Sequence, residues 1–208
     1  MRRFYQLSYR LGFHPWEDLP DHPPFADALL GLVAREENGR QPPYGKALDL
    51  GCGSAVWGVR LAERGWQVTG VDNVARALAR ARDRVREAGV DMHLVQGDVT
   101  RLAESGTGRG YRLVVDTGTF HGLNAPERRA MGREVATVAA DDAVIILDCF
   151  APGRRGPLPR GCTRADVEEA FPAWKVTDVV VADTEPDPLA RALKFDEVFY
   201  RLERTDAV

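Results

Sequence analysis

From residue 46 onward, short runs rich in Val, Ile and Leu alternate with longer stretches whose apolar residues recur every three to four positions. The runs at 46–50 (KALDL), 67–71 (QVTGV), 92–96 (MHLVQ), 111–115 (YRLVV) and 143–149 (AVIILDC) predict strands. Between them the pattern predicts helices from a Ser54 cap to about residue 64, from 75 to 87 and from 126 to 139. Gly65 and Gly89 stand where the first two of these should stop. The stretch ESGTGRG at 104–110 reads as a flexible link. Strands spaced in this way by helices build a parallel α/β sheet, and their near-continuous apolar character suits burial on both faces. Two more runs, at 175–181 and 197–202, have no evident helical crossover and predict a terminal antiparallel strand.

Upstream of residue 46 the pattern changes. Phe4, Tyr5, Leu7, Tyr9 and Leu11 crowd together, and HPWEDLPDHPP follows, too rich in proline for a long helix. A helix is then expected over 25–37, with Phe25, Leu29, Leu32 and Val33 on one face. The expected organisation is a single structural domain: residues 1–45 form an aromatic lid and a packed helix, and 46–208 carry the binding site.

Composition narrows the functions. A chain of 208 residues is long enough for one substantial domain and short for two. Its net charge of −3 lacks the basic footprint of a nucleic-acid binder. No run approaches the roughly 20 apolar residues of a membrane span, and the N-terminus lacks the apolar core of a signal peptide. Cys52, Cys149 and Cys162 are too few and too scattered for a disulfide framework or a zinc knuckle. A cytoplasmic protein with reduced thiols and no metal is expected.

The chemistry concentrates in LDLGCGS, residues 48–54, where a strand turns tightly into a helix. Gly51 and Gly53 let the backbone approach a ligand there. A dinucleotide site would need G-x-G-x-x-G, but the sixth residue counted from Gly51 is Val56. Asp49, directly before the glycines, would repel a pyrophosphate and suits a cation. S-adenosylmethionine carries a sulfonium and an ammonium group and no phosphate. Asp72 ends the next strand in GVDN, placed to take both ribose hydroxyls, with Asn73 beside it. Asp98 follows the third strand in QGDV, where it can accept from an adenine amino group while Val99 packs on the ring and Gly97 admits it. Asp116 and Thr117 end the fourth strand in VVDTGTFHGL. These acids, at the carboxyl ends of successive parallel strands, converge on one crevice.

With these motifs the chain resembles the class I S-adenosylmethionine-dependent methyltransferases. YRLGFHPWED (9–18) and the FH after the fourth strand add a resemblance to the thiopurine and tellurite methyltransferase-like group. The resemblance implies a doubly wound, Rossmann-like sheet of seven strands, mostly parallel with a terminal antiparallel strand and helices on both faces. It also implies a monomer or homodimer, an N-terminal lid, and S-adenosylhomocysteine as product. The chain departs from the family pattern at Ala55–Val56, where a third glycine-like position is usual. It also lacks an N-P-P-Y type motif, which argues against methylation of a base amine.

Methyl transfer needs the nucleophile held close to the methyl carbon and, for a poor nucleophile, a base. His121, five residues past Asp116, is the candidate base. Tyr9 and His14 are candidates to contact substrate, and Trp16 to offer a cation–π face to the sulfonium. Phe120 is a candidate pocket wall. Arg154 and Arg155, in the loop APGRRGPLPRGC at 151–162, are candidates to clamp an anionic acceptor. Cys52 lies in the glycine turn as a packing residue. The expected function is methylation of an O, N or S atom of a small, aromatic or heterocyclic acceptor. The alternatives are a methyltransferase of protein or RNA, a nicotinamide-dependent oxidoreductase, and a non-catalytic module that binds S-adenosylmethionine.

Overall fold

The computed structural model describes residues 12, 17, 22–153, 159–182 and 196–205. Seven strands form one sheet: β1 (Lys46–Leu50), β2 (Gln67–Asp72), β3 (Met92–Gln96), β4 (Tyr111–Thr117), β5 (Ala139–Phe150), β6 (Trp174–Val181) and β7 (Glu197–Arg204). Their order is β3-β2-β1-β4-β5-β7-β6. The first five run parallel, and β7 inserts antiparallel between β5 and β6. The chain reverses its winding direction between β1 and β4, which opens a crevice at their carboxyl ends.

Among the described residues, five helices cover the sheet: α1 (Pro23–Glu37), α2 (Val56–Arg64), α3 (Ala75–Ala88), α4 (Ala125–Val138) and α5 (Arg164–Ala170). Helix α1 buries Phe25, Leu29, Leu32 and Val33, the face its spacing predicts. Its last residue, Glu37, pairs with Arg64 and accepts from Trp66 Nε1 at 3.0 Å, which fastens the helix to the start of β2. Gly65 and Gly89 end α2 and α3 in left-handed conformations, as expected. Helix α5 was not foreseen. It has only seven residues and stands because Thr163 and Asp166 form a reciprocal capping box.

The alternation of side chains across the sheet divides the core in two. Leu48, Val114, Ile145, Leu147 and Cys149 face α4 and α5 with Phe120, Met131 and Phe171. Ala47, Val115, Val144, Ile146 and Phe199 face α1 and α2 with Phe25, Trp57 and Trp66. No helix among the described residues is long and apolar enough to cross a membrane. The three cysteines are buried and free.

Candidate cofactor and acceptor site

The turn after β1 is held from two sides. Cys52 N–H donates to Val71 O at 3.0 Å, and Gly53 N–H donates to Asp72 Oδ2 at 3.0 Å. Val74 N–H fills Asp72 Oδ1 at 2.7 Å. The Asp72 carboxylate thus ties the glycine turn to the start of α3 while remaining at the strand end. Gly51 has φ +66°, and a Cβ there would lie 1.8 Å from Thr119 Oγ1. The loops after β1 and β4 abut at that point because nothing projects from Gly51. Cys52 packs its thiol on Gly70, where a Cβ would come within 2.9 Å of the sulfur.

Ser54 does not cap the following helix. The N-cap is Ala55, which adopts φ 59° and ψ 32° and donates its N–H to Cys52 O at 2.7 Å. Ala55 therefore takes the left-handed backbone that a glycine would hold without strain. Ser54 O instead accepts from Arg84 Nε at 3.1 Å.

Asp49 is 1% exposed, and both its carboxylate oxygens are buried without a hydrogen-bond partner. Burial, and then the charges of Asp116 and Asp72, push its pKa up to about 7, against the lowering effect of the Gly58 amide. An acid in this condition has full acceptor capacity and gains most from a cation. Asp116, 0% exposed, is different. Its carboxylate accepts from the amides of Gly118 (3.0 Å), Thr119 (2.7 Å) and Phe120 (3.1 Å). Expected among the cofactor ligands, it shapes the loop that carries Thr117 and His121. Burial raises its pKa to about 7 although those amides lower it.

At the end of β3, Gly97 N–H donates to Asp72 O at 3.1 Å, and Asp98 Oδ1 accepts from Thr100 N and Oγ1 at 2.9 and 2.7 Å. Val99 is buried in the core with Val71, Val95 and Leu102. Asn73 and Thr117 are half-buried at their strand ends. His121 sits in a single 3-10 turn, Phe120–Gly122. Phe150 N–H donates to its Nδ1 at 3.2 Å, and the two rings stack with centroids 4.4 Å apart and planes at 12°. An imidazole whose Nδ1 accepts a hydrogen bond carries its proton, when neutral, on Nε2.

One expectation is corrected. Phe120 is wholly buried against Phe171, with the Arg128 guanidinium over its ring, so it packs the core and does not wall a pocket. Tyr9, His14, Trp16, Arg154 and Arg155 lie outside the described residues.

Three residues of this region escaped sequence reasoning. Buried Arg128 donates to the carbonyls of Phe120 (3.2 Å), His121 (3.3 Å) and Gly161 (2.7 Å), holding two loops together. Nothing in ERRAM marked it. Asp148 and Glu197 are 2% and 7% exposed at neighbouring strand ends. The available cue was an aspartate inside the otherwise apolar run AVIILDC.

Residues 47–142 match the model of the methyltransferase domain family. Over 191 residues the chain is 29% identical to 2-heptyl-1-hydroxyquinolin-4(1H)-one methyltransferase of Mycobacteroides abscessus, covering 86% of this chain and 79% of that one. The chain is similar to the class I S-adenosylmethionine-dependent methyltransferases. Among solved structures, the fold is similar to that of 1,6-didemethyltoxoflavin-N1-methyltransferase from Burkholderia thailandensis. That likeness has a TM-score of 0.75 and 20% identity over 99% of this chain and 87% of that one. TehB from Haemophilus influenzae is also similar, with a TM-score of 0.65 and 16% identity over 84% and 62% of the two chains.

The residues present fit this methyltransferase's cofactor. The orphaned carboxylate of Asp49 suits the ammonium of the methionine moiety, and the bare Gly51 and Gly97 let the loops around the crevice pack closely on Thr119 and Ser105.

Proposed function

We propose that this methyltransferase acts on an O, N or S atom of a small aromatic or heterocyclic acceptor. The observation that carries the cofactor part of the reading is the unpaired, buried Asp49 at the switch point, an acid waiting for a cation. The name of the mycobacterial relative, and the didemethyltoxoflavin bound to the Burkholderia structure, support a heterocyclic acceptor. The net charge of −3 weighs against an RNA substrate.

When bound, S-adenosylmethionine supplies an electrophilic methyl group on a sulfonium. The chain's residues do the rest. Asp49 neutralises the ammonium, Asp72 accepts from the ribose hydroxyls with its remaining lone pairs, and Asp98 accepts from the adenine amino group. His121 presents Nε2–H as a donor that orients an electron-rich acceptor atom, in place of the base role its sequence position suggests. Holding the nucleophile in line with the methyl carbon supplies the largest share of the rate.

Calorimetry with S-adenosylhomocysteine, paired with methylation assays on 2-heptyl-1-hydroxyquinolin-4(1H)-one and 1,6-didemethyltoxoflavin as probes, tests the reading. Micromolar binding with transfer to at least one heterocycle is expected. Binding accompanied by transfer only to ribosomal RNA or protein would overturn it.

A further inference from the structure

We propose that Asp148, paired with Glu197, receives the proton that the acceptor loses, making this carboxyl pair the general base of methyl transfer. The inference rests on the small-acceptor reading above.

The register of the sheet puts the pair where an acceptor must lie. Ala47, Val115, Ile146 and Phe199 all face the α1 side. Two residues further along each strand toward the crevice, or two before Phe199 on the antiparallel β7, stand Asp49, Thr117, Asp148 and Glu197. Thr117 pairs with Asp148, and Asp148 pairs with Phe199, so that Glu197 is its diagonal neighbour on the same face. Asp49 on β1 pairs with Val115, so Thr117 and Asp148 lie one step nearer the carboxyl edge of the same face. Asp49 stands on the β1 side of that face, toward the cofactor. Asp148 and Glu197 stand on its β5 and β7 side, beyond Thr117.

Both carboxyls are buried, they hydrogen-bond to each other, and Asp148 Oδ1 is buried without a hydrogen-bond partner. Two acids so close share one proton and keep one negative charge. Burial first, and then Glu197, hold the pKa of Asp148 well above the usual carboxylate range; Asp116 from β4 and Cys162 from the loop before α5 act in the same direction. Once it has lost the shared proton, such a pair takes one back more readily than a solvated aspartate does. His121 cannot replace it, because the Phe150 amide occupies Nδ1 and Nε2 already carries hydrogen.

The balance is simple. The acceptor N–H or O–H bond breaks and leaves its electron pair on the heteroatom, which bonds to the methyl carbon. The C–S bond breaks with its pair going to sulfur, giving the neutral thioether. The proton goes to Asp148 Oδ1 and then to water.

Asp148→Asn and Glu197→Gln test this against a purely structural pair, with S-adenosylhomocysteine affinity and melting temperature as controls. Asp148→Asn should bind S-adenosylhomocysteine as the wild type does and lose about 100-fold or more in kcat on a heterocyclic N–H or O–H probe. Its residual rate should rise with pH as the acceptor ionises by itself. Its melting temperature should also lose the fall that the wild type shows as pH rises through the raised pKa of the pair. Glu197→Gln leaves Asp148 as an ordinary buried acid, and should move the acid limb of the pH profile to lower pH with kcat at high pH within about tenfold. Wild-type rate and an unchanged pH profile in Asp148→Asn would overturn the proposal alone; if that variant does not fold, an unmoved profile in Glu197→Gln does the same. A wild-type enzyme that methylates no small heterocycle would overturn the acceptor reading, and the pair's role with it.

Discussion

The Phe150 amide donates to Nδ1 of His121 at 3.2 Å, and that bond decides which nitrogen of the neutral ring carries hydrogen. Both partners are fixed: the Phe150 ring stacks on the imidazole, and β5 holds the Phe150 backbone beside β7. The neutral ring then offers a donor at Nε2.

A donor and a base answer differently to glutamine, whose side-chain amide can place an N–H near the position of Nε2. His121→Ala should lower kcat about 100-fold, in the range for losing one aimed hydrogen-bond donor, and His121→Gln should recover most of it. Equal damage in both variants, with an acid limb in the wild-type profile that disappears in His121→Ala, would return His121 to the role of base.

Asp49 should make cofactor binding and stability depend on pH. Its folded-state pKa lies at about 7, above the ordinary 3.8, so folding favours its protonated form. The stability it allows is therefore full at low pH and falls as pH rises from the unfolded value through about 7. Asp49→Asn should make the ligand-free protein more stable than wild type above pH 7, by on the order of 3 kcal/mol, with little difference near pH 4. Below pH 7, S-adenosylhomocysteine should release a proton from Asp49 on binding. Calorimetric enthalpies that differ between phosphate and Tris buffers would register it; identical enthalpies would mean that Asp49 is already ionised.

Asp72 holds the glycine turn through Gly53 N–H and α3 through Val74 N–H. Asp72→Ala should weaken S-adenosylhomocysteine by about 100-fold, because two amides and the ribose hydroxyls lose an acceptor together. Asp72→Asn should retain part of the affinity, since its carbonyl oxygen still accepts. An unchanged dissociation constant in Asp72→Ala would remove it from the cofactor site.

Two glycines should separate stability from function. A Cβ at Gly132 would fall 1.8 Å from Ala170 O, where α4 meets α5. Gly132→Ala should cost about 3 kcal/mol in urea melts and leave cofactor affinity intact, because a backbone carbonyl cannot step aside cheaply. Gly51→Ala should instead weaken cofactor binding, since it collides with the Thr119 side chain inside the crevice. Removing that side chain, in Gly51→Ala/Thr119→Ala, should restore part of the loss.

The sequence by itself determined the sheet, the cofactor and the acids at the strand ends. Strand and helix periods are local, and the stops at Gly65 and Gly89 need only a residue that tolerates positive φ, so the order of elements was readable directly. LDLGCGS and GVDN were readable for the same reason: a tight turn and an acid at a fixed distance are properties of adjacent residues. Tertiary structure alone decided what each acid faces. Asp49 and Asp116 look alike in sequence, but one is left without a hydrogen bond and the other is filled by three amides of its own loop. Glu197 meets Asp148 only because β7 turns back antiparallel beside β5, a pairing of residues 49 positions apart that no local pattern encodes. The tautomer of His121 depends in the same way on a backbone amide 29 residues away. Local spacing sets what each segment becomes; the partners that tune a buried charge come from the packing of segments, where burial makes every unpaired lone pair costly.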